Sequence, residues 1–353
     1  MHFLSISAII QAKPNPKYEI KFHDVKFILR GVKVHTVLEA ISRIGIVPVI
    51  AISDVEKAVP LAKALCAGGI PCAEVTFRTA EGEAAMRRIA AEVPEALLGA
   101  GTVLTTAQVD RAIAAGAKFV VSPGFNPRVV EYCLNKSVPI VPGCSSPSDM
   151  EQAMEYGINT VKFFPAEQAG GLDYIKAVSA PYPGLMFMPT GGIHAGNLAK
   201  YLAFEKVVAC GGSWMVQKEL VSAGRFEEIT RLCREAVQVS LGFELAHIGI
   251  NGQDEEDAKR AARLFSGLFG FPLKEGNNSA FAGASIEVAY APGRGAHGHI
   301  AIGTWSIARA KEHFTRQGVL FDEESVKVNN AGKPVAIYLR EEIAGFSIHL
   351  LQK

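Results

Sequence analysis

The sequence predicts an α/β protein in which a (β/α)8 TIM barrel is followed by a smaller α+β domain. Between about residues 34 and 242, eight short apolar segments alternate with amphipathic helical patterns. The apolar segments are hydrophobic almost throughout, which is typical of parallel strands buried on both faces. Eight strand–helix units in about 200 residues fit a TIM barrel. An open doubly wound sheet is the alternative, but its early GxGxxG motif is missing here.

The chain divides into three predicted parts. Residues 1–33 are a poorly specified extension in which a short apolar stretch is followed by Lys13-Pro-Asn-Pro-Lys17. No Lys or Arg precedes that stretch, which disfavours a secretory signal. Residues 34–242 form the predicted barrel, and residues 243–353 form the second domain. The first regular pattern is a helix over Val34–Ile44, with apolar residues on one face.

Each predicted barrel strand is a short apolar run. The eight runs are Ile46–Ile52, Cys72–Thr79, Ala96–Val103, Lys118–Gly124, Pro139–Ser145, Thr160–Ala166, Leu185–Gly192 and Val207–Trp214. Helical periodicity follows each run. The helical patterns cover Asp54–Ala67, Glu81–Val93, Thr106–Ala115, Pro127–Asn135, Ser148–Tyr156, Leu172–Val178, Ala195–Phe204 and Phe226–Val237.

Composition excludes several classes of partner. The chain has 36 Lys and Arg residues against 35 Asp and Glu residues, so nothing indicates a nucleic acid or a membrane surface. No apolar run approaches the ~20 residues of a membrane span. The six cysteines show no CxxC spacing, which favours free thiols in a reducing cytoplasm.

The sixth apolar run contains a lysine, Lys162, between Val161 and Phe163. Lysines buried in apolar surroundings have lowered pKa values, and the free amine that results is the nucleophile that forms a Schiff base. The alternative is that Lys162 reaches the barrel rim or pairs with Glu167. The octapeptide from residue 160 to residue 167 does not decide between them.

Polar residues follow the predicted strands, at the end of a barrel where enzymes place their chemistry. Glu74 and Arg78 lie at the end of the second strand, either as a structural ion pair or as catalytic groups. Gly-Gly pairs end the seventh and eighth strands, either as turn glycines or as a phosphate site. Thr190 and Ser213 add hydroxyl donors beside these pairs.

Histidine is scarce in the predicted barrel. Between residues 45 and 240 the single histidine is His194. A metal-dependent aldolase usually needs several histidines to hold its ion. The barrel sequence therefore favours chemistry that depends on a lysine, with no cofactor.

Eight segments together resemble the class I 2-keto-3-deoxy-6-phosphogluconate/4-hydroxy-2-oxoglutarate aldolases, in family order and over about residues 34–240. The segments are Gly45–Ile50, Glu74–Thr79, Gly99–Val103, Ser122–Gly124, Pro142–Gly143, Lys162–Glu167, Pro189–Ile193 and Gly211–Trp214. The resemblance implies that Lys162 forms the Schiff base with the 2-keto carbon and that Glu74 is the general acid and base. It also implies that Arg78 binds the pyruvyl carboxylate with help from Thr102.

The resemblance also implies the rest of a substrate site. Pro123 and Phe164 are expected to form an apolar wall around the imine. The distal phosphate is expected to lie against Thr190, Gly191, Gly192, Gly212 and Ser213. Members of this family are commonly homotrimers.

The expected reaction is cleavage of 2-keto-3-deoxy-6-phosphogluconate (KDPG) to pyruvate and glyceraldehyde 3-phosphate. A second expected substrate is 4-hydroxy-2-oxoglutarate (KHG), which gives pyruvate and glyoxylate. A phosphogalactonate-type aldolase is one alternative. Another is a phosphate-binding isomerase or epimerase, in which Glu74 is a proton-transfer base and no covalent intermediate forms.

The predicted C-terminal domain contains an internal repeat with an offset of 52 residues. His247–Ile250 and the helical Ala258-Lys259 in the first half correspond to His299–Ile302 and Ala310-Lys311 in the second. Short alternating strands complete each half, including Ser285–Tyr290, Val335–Leu339 and Phe346–Leu351. Two βαβββ-like halves resemble the vicinal-oxygen-chelate, or glyoxalase-like, fold over about residues 245–353.

That second resemblance implies ligands for a divalent metal. The matching positions are His247, Glu287, His299 and His349, although the last is commonly Glu in the family. Such a donor set suits Zn²⁺, Mn²⁺, Fe²⁺ or Ni²⁺. The domain is therefore either a metal-dependent enzyme or a binding module without catalytic activity.

Overall fold

The computed structural model describes residues 36–353. The predicted extension, residues 1–33, and the start of the predicted helix Val34–Ile44 lie outside the described residues. Residues 36–44 are helical and are called α1. Among the described residues, no helix is long and apolar enough to cross a membrane.

Eight parallel strands follow α1. They are β1 (Ile46–Ile50), β2 (Cys72–Thr76), β3 (Leu97–Gly101), β4 (Phe119–Val121), β5 (Ile140–Val141), β6 (Thr160–Phe163), β7 (Met186–Pro189) and β8 (Cys210–Gly212). Six of them pair in the order β5-β4-β3-β2-β1-β8, and β6 pairs with β7. Single bridges join Gly143 to Lys162 and Thr190 to Gly211, so the pairing returns on itself in a curled parallel sheet.

Helices cover the outside of this sheet. They are α2 (Ala58–Ala67), α3 (Gly82–Glu92), α4 (Thr106–Ala114), α5 (Pro127–Asn135), α6 (Pro147–Glu155), α7 (Gly171–Ser179), α8 (Ala195–Leu202), α9 (Lys218–Ser222) and α10 (Phe226–Leu241). Local chemistry fixes several starts. Thr105 and Gln108 form a capping box at α4, and Asn126 caps α5, whose first residue is Pro127.

The parallel α/β prediction is confirmed, with shorter strands. Each predicted run contains a strand, but β2 ends at Thr76 and β6 at Phe163. The apolar and polar residues beyond those points leave the ladder and form the loops after the strands. Those loops carry most of the predicted functional residues, whereas Glu74 and Lys162 lie within β2 and β6.

The chain after α10 forms a second sheet. Its elements are β9 (Glu244–Asn251), α11 (Glu255–Phe269), β10 (Leu273–Glu275), β11 (Ser279–Ala282), β12 (Ile286–Ala289), β13 (Gly298–Thr304), α12 (Ile307–Arg316), β14 (Phe321–Val328), β15 (Pro334–Ile343) and β16 (Phe346–Gln352). The sheet order is β10-β11-β12-β9-β13-β16-β15-β14. This region is therefore mostly β. It consists of two units, and each unit has one strand, one helix and three further strands in that order. The predicted βαβββ-like halves include three strands after each helix, but no residue ranges were assigned to β10, β11 or β14.

The second sheet packs against the amino ends of the parallel strands. Buried residues of its second half, such as Ile307 and Leu350, belong to the same hydrophobic core as the parallel sheet. Arg309 of α12 is 7% exposed and enters this contact. Its guanidinium donates to the carbonyl oxygens of Ser42, Leu202, Val207 and Val208 at 3.1–3.4 Å.

Candidate active site and histidine cluster

A buried ion pair lies inside the parallel sheet. The Nζ of Lys162 on β6 is 3.5 Å from Oε1 of Glu74 on β2, and the two side chains are 7% and 0% exposed. The second carboxylate oxygen, Oε2 of Glu74, has no hydrogen-bond partner among the described residues. A buried amine and a carboxylate with one free oxygen are suited to nucleophilic attack and proton transfer.

Glycine makes room for this carboxylate. A Cβ at Gly101 on β3 would lie 2.3 Å from Oε1 of Glu74, closer than any real contact. The residue at this position must therefore lack a side chain if Glu74 is to reach Lys162. The sequence motif from Gly99 to Val103 contained this glycine, but its spacing alone did not show the contact.

Both alternative ion pairs weighed from the sequence are wrong. Glu167 accepts a hydrogen bond from the hydroxyl of Tyr201 on α8, and Lys162 pairs with Glu74 instead. The Nε of Arg78 donates to Oγ1 of Thr76 at 3.1 Å, so Arg78 is not the partner of Glu74. The hydroxyl of Thr76 donates in turn to the carbonyl of Ile50 at 2.8 Å.

Two further predicted residues lie in loops after β3 and β6. Thr102 has a φ of +56°, a left-handed conformation that costs a residue with a Cβ roughly 1–2 kcal/mol. Such strain often marks a functional site. The ring centroid of Phe164 lies 5.4 Å from Nζ of Lys162, and its side chain is 39% exposed. The structure therefore places an aromatic wall beside the amine.

The two glycine pairs, one after β7 and one within β8, have different roles. Gly191 and Gly192 have φ values of +100° and +76° and lead into α8, so they form a turn that glycine favours. Gly211 and Gly212 allow close packing: Cβ atoms there would lie 2.3 Å from Oγ1 of Thr190 and 1.9 Å from the ring of Trp214. Gly211, absent from the predicted site, is as constrained as Gly212.

The remaining predicted residues lie in the same set of loops. Thr190 follows β7 and is buried, and Ser213 follows β8 and is exposed. Pro123 follows β4, where a Cβ on Gly143 would lie 2.1 Å from its carbonyl oxygen. All predicted barrel residues except Glu74, Lys162 and Gly212 thus follow the carboxyl ends of strands. The second sheet packs at the amino ends.

The four predicted metal ligands meet in the second sheet. The Nε2 atoms of His247 and His299 are 3.1 Å apart. Oε2 of Glu287 lies 3.1 Å from Nε2 of His247 and 3.3 Å from Nε2 of His299. His247, His299 and His349 each contribute one ring nitrogen to a group of three atoms, and these atoms all lie within 4.8 Å of one another. Four strands, two from each half of the sheet, therefore converge on a single cluster.

Strand register explains how four large side chains share one face. In one row Gly249 pairs with both Glu287 and His299. In the next row Ala301 lies between His247 and His349. A Cβ on Gly249 would be 2.0 Å from the ring of His299. Small residues at the centre of each row therefore leave space for the rings.

The protonation states in the cluster differ. Burial acts to raise the pKa of Glu287, but hydrogen bonds from His247, His299 and Ser279 outweigh it and hold the pKa well below its usual range. Burial, with the nearby charges of His299 and His247, lowers the pKa of His349 to about 4. Both ring nitrogens of His349 are buried and have no partner among the described residues. A neutral imidazole and an ionised carboxylate are the forms that ligate metals.

Comparisons with known proteins cover the parallel sheet. Residues 37–232 match the family model described as KDPG and KHG aldolase. The chain is 52% identical over 204 residues to 2-dehydro-3-deoxy-phosphogluconate aldolase from Treponema pallidum, which covers 58% of this chain and 97% of that protein. It is 45% identical over 193 residues to KHG/KDPG aldolase from Escherichia coli K12, covering 55% and 91%.

Solved structures give the same relationship. The crystal structure of KDPG aldolase from Legionella pneumophila, with pyruvate captured as a covalent carbinolamine intermediate, is 39% identical with a TM-score of 0.55. It covers 56% of this chain and 97% of that one. The aldolase of Zymomonas mobilis with 3-phosphoglycerate is 36% identical with a TM-score of 0.53, covering 57% and 94%. Residues beyond 232 lie outside the family match.

Proposed function

The chain belongs to the KDPG and KHG aldolase family, and from this premise we propose that it is a Schiff-base lyase that cleaves KDPG to pyruvate and glyceraldehyde 3-phosphate. One observation carries the proposal. Nζ of Lys162 lies 3.5 Å from the carboxylate of Glu74 in a buried site with no other charged partner for either group among the described residues.

The first half of the reaction uses Lys162 as the nucleophile. The ammonium of Lys162 first gives a proton to the carboxylate of Glu74, and the neutral amine then attacks the C2 carbonyl. The former carbonyl oxygen takes one proton from the attacking nitrogen and one back from Glu74, and it leaves as water. The product is an imine that withdraws electrons from C3. Holding the reacting groups together in this way removes much of the entropic cost of the encounter.

The second half uses Glu74 as a base and then as an acid. Its carboxylate takes the proton of the C4 hydroxyl, the C3–C4 bond breaks, and glyceraldehyde 3-phosphate leaves with a new aldehyde. The electron pair of that bond remains as an enamine of pyruvate. Return of the proton to C3 and hydrolysis of the imine release pyruvate and free Lys162. A positioned acid–base group of this kind contributes ~10²–10⁴-fold.

Residues at the carboxyl ends of the strands bind the carboxylate and the phosphate of the substrate. Among the described residues, the guanidinium of Arg78 makes one hydrogen bond, to Thr76, so its terminal N–H groups are available for the substrate carboxylate. The family pattern adds Thr102 to the carboxylate site. Pro123 and Phe164 form the wall around the imine. Thr190, Gly191, Gly192, Gly212 and Ser213 hold the distal phosphate, where backbone N–H groups and the start of α8 favour negative charge.

The finer aspects of this proposal come from the family. KHG is a second substrate, since the similar protein of E. coli is named KHG/KDPG aldolase. The chain works as a homotrimer in the cytoplasm, where its six cysteines stay reduced, and the described structure contains them as free thiols. Sedimentation velocity with the purified chain tests the oligomer.

Product analysis tests the reaction. Incubation of the purified chain with KDPG should release pyruvate and glyceraldehyde 3-phosphate in equal amounts, which coupled dehydrogenases measure separately. An isomerase or epimerase that uses the same Glu74 would release neither. A phosphogalactonate-type preference would appear as a higher kcat/KM for the C4 epimer.

For the C-terminal region we propose a glyoxalase-like domain that binds a divalent metal. The observations that favour it are the strand–helix–three-strand order of both halves and the cluster of four donors. The donors fit a metal. Within residues 36–353, neither buried nitrogen of His349 has a partner. Three imidazoles with one carboxylate suit Zn²⁺, Mn²⁺, Fe²⁺ or Ni²⁺.

When bound, the metal would polarise an oxygen of a substrate as a Lewis acid. His247, His299, His349 and Glu287 would hold it, and Gly249 and Ala301 keep the space for their side chains. Metal analysis of the purified chain tests this. About one equivalent of a divalent transition metal is expected. Less than a tenth of an equivalent, with no uptake on soaking, would leave the alternative of a binding module without metal.

A further inference from the structure

The face of the second sheet that carries the histidine cluster also carries a stacked column. Tyr338 on β15 pairs in register with His349, and their rings stack with centroids 4.7 Å apart. The guanidinium carbon of Arg294 lies 4.8 Å from the centroid of the Tyr338 ring. Arg294 is therefore two ring contacts away from the cluster.

The guanidinium of Arg294 is oriented by one ion pair and retains N–H groups that can bind a ligand. Its Nη1 donates to Oδ2 of Asp322 at 2.7 Å, and Asp322 pairs in register with Tyr338. No other hydrogen bond of the guanidinium is found among the described residues. About half of the side chain is exposed, 50% against 27% for Asp322. The remaining N–H groups can therefore meet a ligand that enters from solvent.

Lys327 adds a second cation to the same face. It pairs in register with Ala336, which pairs with Leu351, two residues after His349. Its neighbour Val326 packs into the core on the opposite face of the sheet. Because successive side chains of a strand point to opposite faces, Lys327 shares the face of the cluster.

We propose that this face is a binding site for a small oxyanion, a carboxylate or a phosphate, with one oxygen on the metal and another on Arg294. The proposal rests on the metal site proposed above. A divalent ion on His247, His299, His349 and Glu287 attracts an anionic oxygen, and Arg294 with Lys327 selects ligands that carry a second negative group. The ligand class is therefore an acid with at least two anionic oxygens, such as a keto or hydroxy acid or a phosphate ester.

The test observes ligands at the metal itself, so that binding elsewhere in the chain is silent. Full-length protein is loaded with Mn²⁺, and relaxation of water protons is measured during titration with oxalate or with inorganic phosphate. Saturable loss of the relaxation enhancement is expected with at least one of the two anions. Oxalate identifies a carboxylate site and phosphate a phosphate site.

Arg294→Gln is expected to raise the Kd of the anion at least tenfold and to change the Kd of Mn²⁺ by less than about twofold. Arg294→Lys should recover part of the anion affinity. Arg260→Gln removes the same charge from the exposed α11, whose Arg260 side chain is 73% exposed, and should leave both constants unchanged.

The outcomes that overturn the proposal are distinct. If neither anion changes the relaxation, or if Arg294→Gln binds the anion as tightly as the parent chain, the oxyanion site is wrong while the metal site stands. If no relaxation enhancement appears when Mn²⁺ is added, the metal site is wrong and the oxyanion site falls with it.

Discussion

The Lys162–Glu74 pair and the histidine cluster are both enclosed in a sheet, but the groups around them differ. Lys162 and Glu74 form an ion pair, and Oε2 of Glu74 has no hydrogen-bond partner within the described part of the chain. The histidine cluster places three imidazoles around a single carboxylate, and both nitrogens of His349 lack a partner among residues 36–353. The first arrangement pairs a base with an acid and is suited to proton transfer. The second has more donors than internal partners, as expected for residues that hold a cation.

The largest expected effect is a loss of KDPG cleavage on substitution of Lys162. Lys162→Gln removes the nucleophile and should lower kcat for KDPG cleavage by at least about 10³-fold. Metal content should not change, because the cluster lies in the other sheet. Lys200→Gln, an exposed lysine at the end of α8, is the matched control and should keep full activity. Substantial residual cleavage of KDPG by Lys162→Gln would show that Lys162 is not the nucleophile.

The next effect is on metal affinity and should occur without any change in KDPG cleavage. His349→Leu should raise the Kd of a divalent metal by about 10–100-fold, the range found even for partners one shell away from a metal. KDPG cleavage should be unchanged. Equilibrium dialysis with metal analysis measures the affinity. Equal metal affinity in the variant would remove His349 from the ligand set.

The same residue predicts a dependence of stability on pH in the metal-free chain. The folded-state pKa of His349 is lowered to about 4, whereas an unfolded histidine titrates near ~6.5. The unfolded state therefore binds more protons between these values, so stability should fall as the pH drops from about 6.5 to about 4. His349→Leu should lose less stability over this window, with a difference on the order of 2–3 kcal/mol. Urea titrations at several pH values measure it. Parallel losses in both proteins would contradict this assignment.

A third substitution tests whether the contact between the two sheets stabilises the fold without affecting turnover or metal binding. Arg309→Leu removes four hydrogen bonds to backbone carbonyls at the contact between the sheets. The free energy of unfolding should fall by about 2–4 kcal/mol. Turnover and metal affinity should both stay near the values of the parent chain. The exposed Arg316→Leu on the same helix is the control, and an equal loss there would contradict a special role for Arg309.

The smallest effect concerns the distal phosphate. Ser213→Asp places a negative charge where the phosphate is proposed to bind, so the KM for KDPG should rise by about tenfold, equivalent to ~1.4 kcal/mol. The KM for KHG, which has no phosphate, should change much less. Kinetics with the two substrates measures the difference. An unchanged KM for KDPG would remove Ser213 from the phosphate site.

The sequence predicted the parallel sheet well because each strand is a continuous apolar run. It also predicted that Lys162 and Glu74 are functional, through motifs that the fold brings together across 88 residues. It did not show the packing that makes their contact possible, such as the space at Gly101. That contact joins neighbouring strands and leaves no periodic signal.

The second sheet was less predictable for physical reasons. The 52-residue repeat placed His247 and His299, but β10 is exposed throughout and β14 contains Asp322-Glu-Glu324, so neither has the alternation typical of strands. The burial of Arg309 was not predicted. Its hydrogen-bond partners include the carbonyls of Leu202 and Val208, which are more than 100 residues away in the sequence. Contacts of that kind are invisible in a helical pattern.

Borohydride trapping with pyruvate tests the central claim most directly. The chain is incubated with pyruvate and sodium borohydride, and the adduct is located by intact mass and peptide mapping. The account predicts one reduced pyruvyl adduct per chain, on Lys162, and none in Lys162→Gln. Folded protein that forms no adduct would contradict the Schiff-base mechanism. An adduct on another lysine would contradict the site and leave the reaction class standing.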